Sequence, residues 1–170
     1  TTYRDVAVSG TFSGVDPQGE ALTFRVTQNP ARGSVTLAEE GSARFTYTPY
    51  ENKTGKDSFS YVAVDQAGNV SQPAEVSVKI EKPRTDVTYA DMAGHPAHKA
   101  AITLAEEGIF VGSYVNGSYF FDPDQPVSRA EFLTMAMAAT GLEPLEDVTL
   151  TGFYDDEAIP TWAKGYVSSA

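Results

Sequence analysis

The sequence predicts two structural units, an antiparallel β-sandwich over residues 1–82 followed by a mainly helical unit over residues 88–170. In the first unit, apolar and polar side chains alternate with a period of two. In the second, helical spacing is combined with capping residues. The charge also changes between them, because residues 1–85 hold nine basic against ten acidic residues (net −1) and residues 86–170 hold three against thirteen (net −10). Residues 83–87, which are polar and include Pro83, form the predicted linker.

The strands of the first unit follow from this alternation. A strand places successive side chains on opposite faces, so each alternating run has one buried and one solvated face. Four such runs occupy residues 22–27, 44–48, 57–61 and 75–80. Apolar pairs at Val6/Val8 and Val35/Leu37 indicate further strands, and Gly, Pro, Asn and Asp clusters mark the turns between them. About seven short strands without an amphipathic helix predict an antiparallel β-sandwich.

The second unit contains two predicted helices separated by a turn-rich loop. The first spans residues 96–108, with Pro96 at its first position and Gly108 as its C-cap. The loop covers residues 112–121. The second helix begins with a capping box at Ser128 to Glu131 and ends at Gly141. Its predicted inward face consists of the apolar side chains Phe132, Met135, Ala136 and Ala139.

Composition excludes several classes of function. The chain has no cysteine, which rules out a disulfide scaffold, a thiolate metal site and a cysteine nucleophile. A net charge of −11 disfavours nucleic acid and anionic membrane surfaces as partners, and no apolar run approaches the ~18 residues that a membrane span needs. Neither a Gly-x-Ser-x-Gly elbow nor a P-loop is present, so we expect no enzymatic activity. The chain opens TTYRDV without Met, and we expect it to be part of a longer protein.

Several motifs of the first unit occur in a familiar order. They are DPQGEALTF (16–24), a Pro-x-x-Gly turn at residues 30–33, FTYTP (45–49) and TGKDSFSYVAVDQAGNVS (54–71). Together they resemble a bacterial cadherin-like, immunoglobulin-like tandem repeat. The resemblance implies an Ig-like β-sandwich that acts as a spacer or an adhesive module.

Calcium binding is one hypothesis for the sandwich. Calcium prefers six to eight oxygen ligands, and Asp16, Glu20, Asp57 and Asp65 are the candidate carboxylates. The alternative is that Asp16 and Asp57 cap turns through side-chain hydrogen bonds to nearby backbone amides. We therefore predict no obligatory cofactor.

Residues 88–142 carry a second set of motifs in order. They begin with Tyr89-Ala90-Asp91, continue through the alanine-rich helix ending in AEEGI (105–109) and FDPD (121–124), and close with Ser128-Arg129-Ala130-Glu131. This segment resembles an S-layer homology repeat. Phe153-Tyr154-Asp155 and the Trp162-Ala163 region repeat its opening about 65 residues later, so residues 143–170 are predicted to begin a second, incomplete repeat.

The resemblance implies attachment of an exported protein to the cell wall. Such repeats bind secondary cell-wall polysaccharide, a peptidoglycan-associated glycan that often carries pyruvyl groups. The candidate binding residues are Arg129, Ser128, Glu131, Gly112, Gly117, Trp162, Asp91 and Asp155. A guanidinium suits a carboxylate, and a helix N-terminus also favours anions. Glycines let backbone amides approach a sugar, and the resemblance places Trp162 in a groove between repeats.

Each of these roles has a structural alternative. Arg129 can pair with a neighbouring carboxylate, Glu131 can serve only as a cap, and Trp162 and Phe153 can belong to the core.

We predict a non-enzymatic fragment located in the extracellular cell wall or surface layer of a Gram-positive-type envelope. The helical part is the anchor and the sandwich is a spacer. A calcium-dependent adhesin with a purely structural helical part is the alternative. Self-association into a surface layer is a third hypothesis. Nucleic-acid binding and membrane insertion are not expected.

Overall fold

Seven strands build the first unit of the computed structural model, which describes residues 1–170. They are β1 (Thr2–Tyr3), β2 (Val8–Thr11), β3 (Thr23–Gln28), β4 (Gly33–Leu37), β5 (Arg44–Pro49), β6 (Gly55–Val64) and β7 (Ala74–Glu81). Six of them lie where the alternation predicts strands. The additional strand, β1, is too short to show a pattern in the sequence.

The strands form two sheets, ordered β1-β7-β6-β3 and β2-β5-β4. All neighbours are antiparallel except β1, which pairs with β7 in parallel. Side chains from both sheets form one core of Phe12, Phe24, Phe45, Tyr47, Phe59, Tyr61, Ala63, Val78 and Ile80. The Phe12 ring stacks on Phe45 at 4.6 Å and on Tyr61 at 4.1 Å between ring centroids. The predicted β-sandwich is confirmed, because apolar residues on the inner faces of the two sheets bury one another.

The second unit, formed by Val87–Met92 and Ala101–Ala170, is smaller and mainly helical. Its elements are α1 (His98–Glu106, which starts just before this unit), β8 (Ser113–Val115), β9 (Ser118–Phe120), α2 (Arg129–Thr140), two 3-10 turns (Asp156–Ala158 and Thr161–Ala163) and α3 (Lys164–Ser169). The mixed fold class is therefore confirmed. None of the helices has the length and apolar character needed to span a bilayer.

Three details of the second unit differ from expectation. The first helix starts at His98 rather than Pro96, which lies in a preceding turn. The predicted loop contains the hairpin β8-β9, whose two-residue turn Asn116-Gly117 has positive φ at both positions. On α2 the buried side chain is Met137, whereas Phe132 is 67% exposed. Because α2 carries apolar residues around its whole circumference, periodicity did not identify its buried face.

Candidate functional site

The start of the first repeat fixes the segment that follows the hairpin. The Asp91 carboxylate accepts hydrogen bonds from the N–H groups of Phe121 (3.0 Å) and Asp122 (2.7 Å). The ring of Tyr89 packs edge-on against Phe121, with ring centroids 5.4 Å apart. Asp91 therefore holds in place the beginning of the chain segment that leads into α2. In this structure it is a positioning residue.

The two candidate glycines shape the hairpin. Gly117 completes the turn with φ +85°, where no neighbouring atom lies within 4 Å of a would-be Cβ. Gly112 also has positive φ (+75°), but a Cβ there would lie 2.1 Å from the carbonyl oxygen of Phe120. Gly112 is thus required by close packing and Gly117 by conformation. Both roles explain these glycines without a sugar contact.

The capping box at the start of α2 is present in full. The Glu131 N–H donates to Ser128 Oγ (3.2 Å), and Glu131 Oε2 accepts from the Ser128 N–H (2.8 Å) and hydroxyl (2.7 Å). These bonds, led by the one from the Ser128 hydroxyl, lower the pKa of Glu131 below its ordinary value. The polar atoms of both side chains are therefore occupied in holding the helix end.

Arg129 remains available between these two residues. It is the first residue of α2, its side chain is exposed, and it forms no ion pair or side-chain hydrogen bond. The N–H groups of Arg129 and Ala130 likewise have no acceptor in the protein. The alternative in which Arg129 pairs with a neighbouring carboxylate is thus not what the structure shows. The first turn of α2 thus carries one unpaired guanidinium side chain and two backbone N–H groups without an acceptor.

The predicted second repeat exposes aromatic side chains. Trp162 and Phe153 are each 55% exposed, and Tyr154 is fully exposed. The alternative that places Trp162 and Phe153 in the core is therefore wrong for this structure. No hydrogen bond or ion pair connects Trp162 or Asp155 to the start of α2, and Asp155 forms no side-chain capping bond.

In this second segment, Asp156 is the acidic residue whose side chain forms hydrogen bonds. Its carboxylate accepts from the N–H (2.6 Å) and hydroxyl (2.7 Å) of Thr151 and from the ammonium of the buried Lys164 (2.5 Å). Lys164 Nζ also donates to the carbonyl of Thr149 (3.0 Å). The ammonium, followed by the Thr151 donors, lowers the pKa of Asp156 to about 2. Sequence reasoning missed this pair, because Asp155 and not Asp156 occupies the position that repeats Asp91.

Three of the four carboxylates proposed for calcium, Asp16, Asp57 and Asp65, accept hydrogen bonds within the sandwich, whereas the exposed Glu20 contributes only its backbone N–H. Asp16 accepts from the N–H groups of Gln18 (2.8 Å) and Glu20 (3.0 Å), which forms the expected turn cap. Asp65 accepts from the backbone and side-chain N–H groups of Asn69, and these bonds lower its pKa. No three acidic or histidine side chains are placed to hold a metal ion together.

Asp57 is the most strongly held of these carboxylates. It accepts bonds from the amides of Ala31 and Arg32, each 2.9 Å long, which fixes the turn between β3 and β4. The turn-capping alternative therefore describes Asp57 as well as Asp16.

Two family models match parts of the chain. Residues 1–82 match the bacterial cadherin-like domain, and residues 88–133 match the S-layer homology domain. The chain carries a bacterial cadherin-like domain followed by an S-layer homology domain. Neither family is catalytic. The S-layer homology domain indicates a cell-surface protein associated with the cell wall, and domains of this family bind cell-wall polysaccharides in general.

Other comparisons add little to the two domains. Two solved structures of an endo-fucoidan hydrolase from glycoside hydrolase family 107, one of them a point variant, share 24% and 22% identity with the chain. The similarity covers 48% of this chain but only 12% of theirs, with a TM-score of 0.38 in each case. No curated protein matches the chain.

Proposed function

We propose that the S-layer homology domain anchors the protein non-covalently to the cell wall by binding an anionic secondary wall polysaccharide at the start of α2. The observation that carries this proposal is the exposed, unpaired side chain of Arg129 on the same helical turn as two backbone N–H groups without an acceptor. A planar guanidinium forms two parallel hydrogen bonds with a carboxylate, such as that of a pyruvyl group. The amides at the helix end favour the same charge.

The surrounding charge requires this attraction to be local. Residues 86–170 have a net charge of −10, so long-range forces repel a polyanion. At an ionic strength of 0.15 M these forces are screened beyond about 8 Å, whereas direct contacts are screened much less. The proposed complex therefore depends on contact with Arg129.

The remaining candidate residues divide into two roles. Ser128 and Glu131 hold the helix end that carries Arg129. Asp91 holds the start of the segment that leads into α2, and Gly112 and Gly117 shape the β8-β9 hairpin before it. Trp162 is proposed to contact the polymer, because its exposed indole supplies apolar surface on which a sugar ring can rest. Asp155 is a candidate only because the Phe153-Tyr154-Asp155 motif repeats Tyr89-Ala90-Asp91. The cadherin-like domain is proposed to act as the spacer or adhesive module.

Co-sedimentation of the full chain with purified cell-wall sacculi tests the anchor. We expect Arg129→Ala to reduce the affinity for sacculi by at least about tenfold, since a charge-assisted hydrogen bond contributes about 1.5–3 kcal/mol. Arg129→Lys should recover only part of this loss, because a lysine cannot make the bidentate contact. Arg44→Ala, which removes an exposed arginine from β5, is the matched control. Equal binding of Arg129→Ala and wild type would refute the proposal.

A further inference from the structure

The outer face of the larger sheet places two lysines side by side. In the antiparallel pairing of β6 with β7, Lys56 lies opposite Lys79 and Ser58 lies opposite Ser77. Val78, which lies between Ser77 and Lys79 on β7, is buried in the core. Because side chains alternate along a strand, the two lysines and the two serines face away from the core. These four residues, here named the lysine face, line an open hollow of about 580 Å³.

Opposing lysines are unfavourable in an isolated sheet. Side chains directly across an antiparallel pair have Cβ atoms about 4.5–5.5 Å apart, and like charges at that distance destabilise the pairing. The chain compensates for only one of them, since Lys79 pairs with Glu81 at 2.5 Å whereas Lys56 has no ion pair. An unpaired ammonium thus lies next to a second one, with two hydroxyl groups beside them.

Charge elsewhere in the chain makes this face unusual. The whole chain has a net charge of −11, and residues 86–170 account for −10 of it. Two acidic residues also border this hollow. Glu75 lies further along β7 opposite Ser60. Asp57 lies between Lys56 and Ser58 on β6, and its carboxylate accepts from the Tyr47 hydroxyl of the other sheet. An anionic polymer is therefore repelled by the second half of the chain and attracted to the end of the lysine face away from Glu75.

We propose that the lysine face binds the anionic groups of the wall polysaccharide, so that the cadherin-like domain is a second contact with the wall and not only a spacer. The ammonium groups of Lys56 and Lys79 receive a carboxylate or a phosphate, and the hydroxyls of Ser58 and Ser77 hydrogen-bond to sugar oxygens. The choice of ligand rests on the function proposed above. A second contact on one chain increases the overall strength of attachment, because the second binding event becomes intramolecular.

Binding of the full chain to defined polymers tests this inference. Polygalacturonate carries carboxylates, polyphosphate carries phosphates and dextran is neutral. For Lys56→Gln/Lys79→Gln we expect about tenfold weaker binding to a polyanion in ~50 mM salt. The slope of log affinity against log salt concentration should also become shallower by about two, near one for each charge removed. The polyanion that shows this loss identifies carboxylate or phosphate as the group received, and dextran should not bind.

Two controls separate a specific face from net charge and from misfolding. Lys56→Gln should weaken binding more than Arg44→Gln, which removes one charge from the opposite sheet. The melting temperature of the double variant should stay close to that of wild type, because relief of the like-charge pair offsets the loss of the exposed ion pair between Lys79 and Glu81. Equal losses for Lys56→Gln and Arg44→Gln, or unchanged binding of the double variant to both polyanions, would overturn the inference.

The sacculi assay distinguishes this inference from the proposed anchor. If Arg129→Ala abolishes sedimentation and the double lysine variant sediments like wild type, the lysine face is not a wall contact and the anchor stands. If the lysine variant alone loses sedimentation, the anchor at Arg129 is wrong and the lysine face stands. Losses in both variants support two contacts.

Discussion

The hydroxyl of Tyr47 donates a 2.8 Å hydrogen bond to the carboxylate of Asp57, which joins β5 of one sheet to β6 of the other. Burial raises the pKa of Tyr47 well above its ordinary value, and the Asp57 carboxylate raises it further. For Asp57, burial acts to raise the pKa, but bonds from Ala31, Tyr47, Arg32 and Ser58 outweigh it and lower the pKa. The carboxylate stays charged because four donors surround it.

Removing the Tyr47 hydroxyl is expected to weaken the sandwich. Tyr47→Phe should lower the free energy of unfolding by about 1.5–3 kcal/mol, because it deletes one donor to a charged acceptor. Asp57→Asn should cost more, since it affects all four bonds. Urea titration measures both changes, with Tyr50→Phe at a half-exposed tyrosine as the control. Equal stability of Tyr47→Phe and Tyr50→Phe would mean that the bond between the sheets contributes nothing.

The hairpin glycines should respond differently to the same substitution. Gly112→Ala places a Cβ about 2 Å from the Phe120 carbonyl oxygen in addition to straining a positive φ. We expect it to lower the melting temperature strongly. Gly117→Ala meets no atom and should cost only about 1 kcal/mol for its φ. A larger effect at Gly117 than at Gly112 would contradict the close packing of β8 and β9.

Tyr89 offers a substitution that should not destabilise the protein. Its hydroxyl is buried without a hydrogen-bond partner, on a residue that is only 6% exposed. Burial is also the main reason that its pKa is raised. Tyr89→Phe should therefore be neutral or stabilising by about 1 kcal/mol. In contrast, Tyr61→Phe loses a 2.9 Å bond to the Ser13 carbonyl and should destabilise, as thermal unfolding of the two variants will show.

Acid should weaken the region around Asp156. Its pKa in the folded protein is about 2, below the roughly 3.9 of an unfolded aspartate. The resulting stabilisation is present above pH about 4 and disappears as the pH falls towards 2. The difference in melting temperature between wild type and Asp156→Asn should shrink over this range. Asp155→Asn, at an exposed neighbour, should differ little from wild type at any pH. A constant difference for Asp156→Asn would refute this assignment.

Calcium should have little effect on the sandwich. Asp16 and Asp65 accept hydrogen bonds from their own turns, and Asp57 accepts them from the turn between β3 and β4. An ion would have to compete with these donors. We expect the melting temperature in ~2 mM calcium to lie within about 1 °C of that in chelator. A large increase with calcium would instead favour the adhesin alternative.

Local patterns predicted most of the strands and the start of α2. Alternation is specific wherever one face of a strand is buried, as in β5 and β7, and the Ser128 to Glu131 box depends on four consecutive residues. The hairpin at Asn116-Gly117 was predictable from its turn residues, but its strands have only three residues each. The pairing of Lys164 with Asp156 and the burial of Met137 depend on tertiary packing, which no short window of sequence contains.

The completeness of the capping box has a practical consequence for specificity. Ser128 and Glu131 cap the helix without using the side chain of residue 129. Residue 129 can therefore be substituted while the capping box stays intact. Arg129→Gln would place a neutral group at the same backbone position, and Arg129→His would place a group whose charge depends on pH. If the proposed anchor is correct, the ligand preference of the helix end can be changed by substituting residue 129 alone.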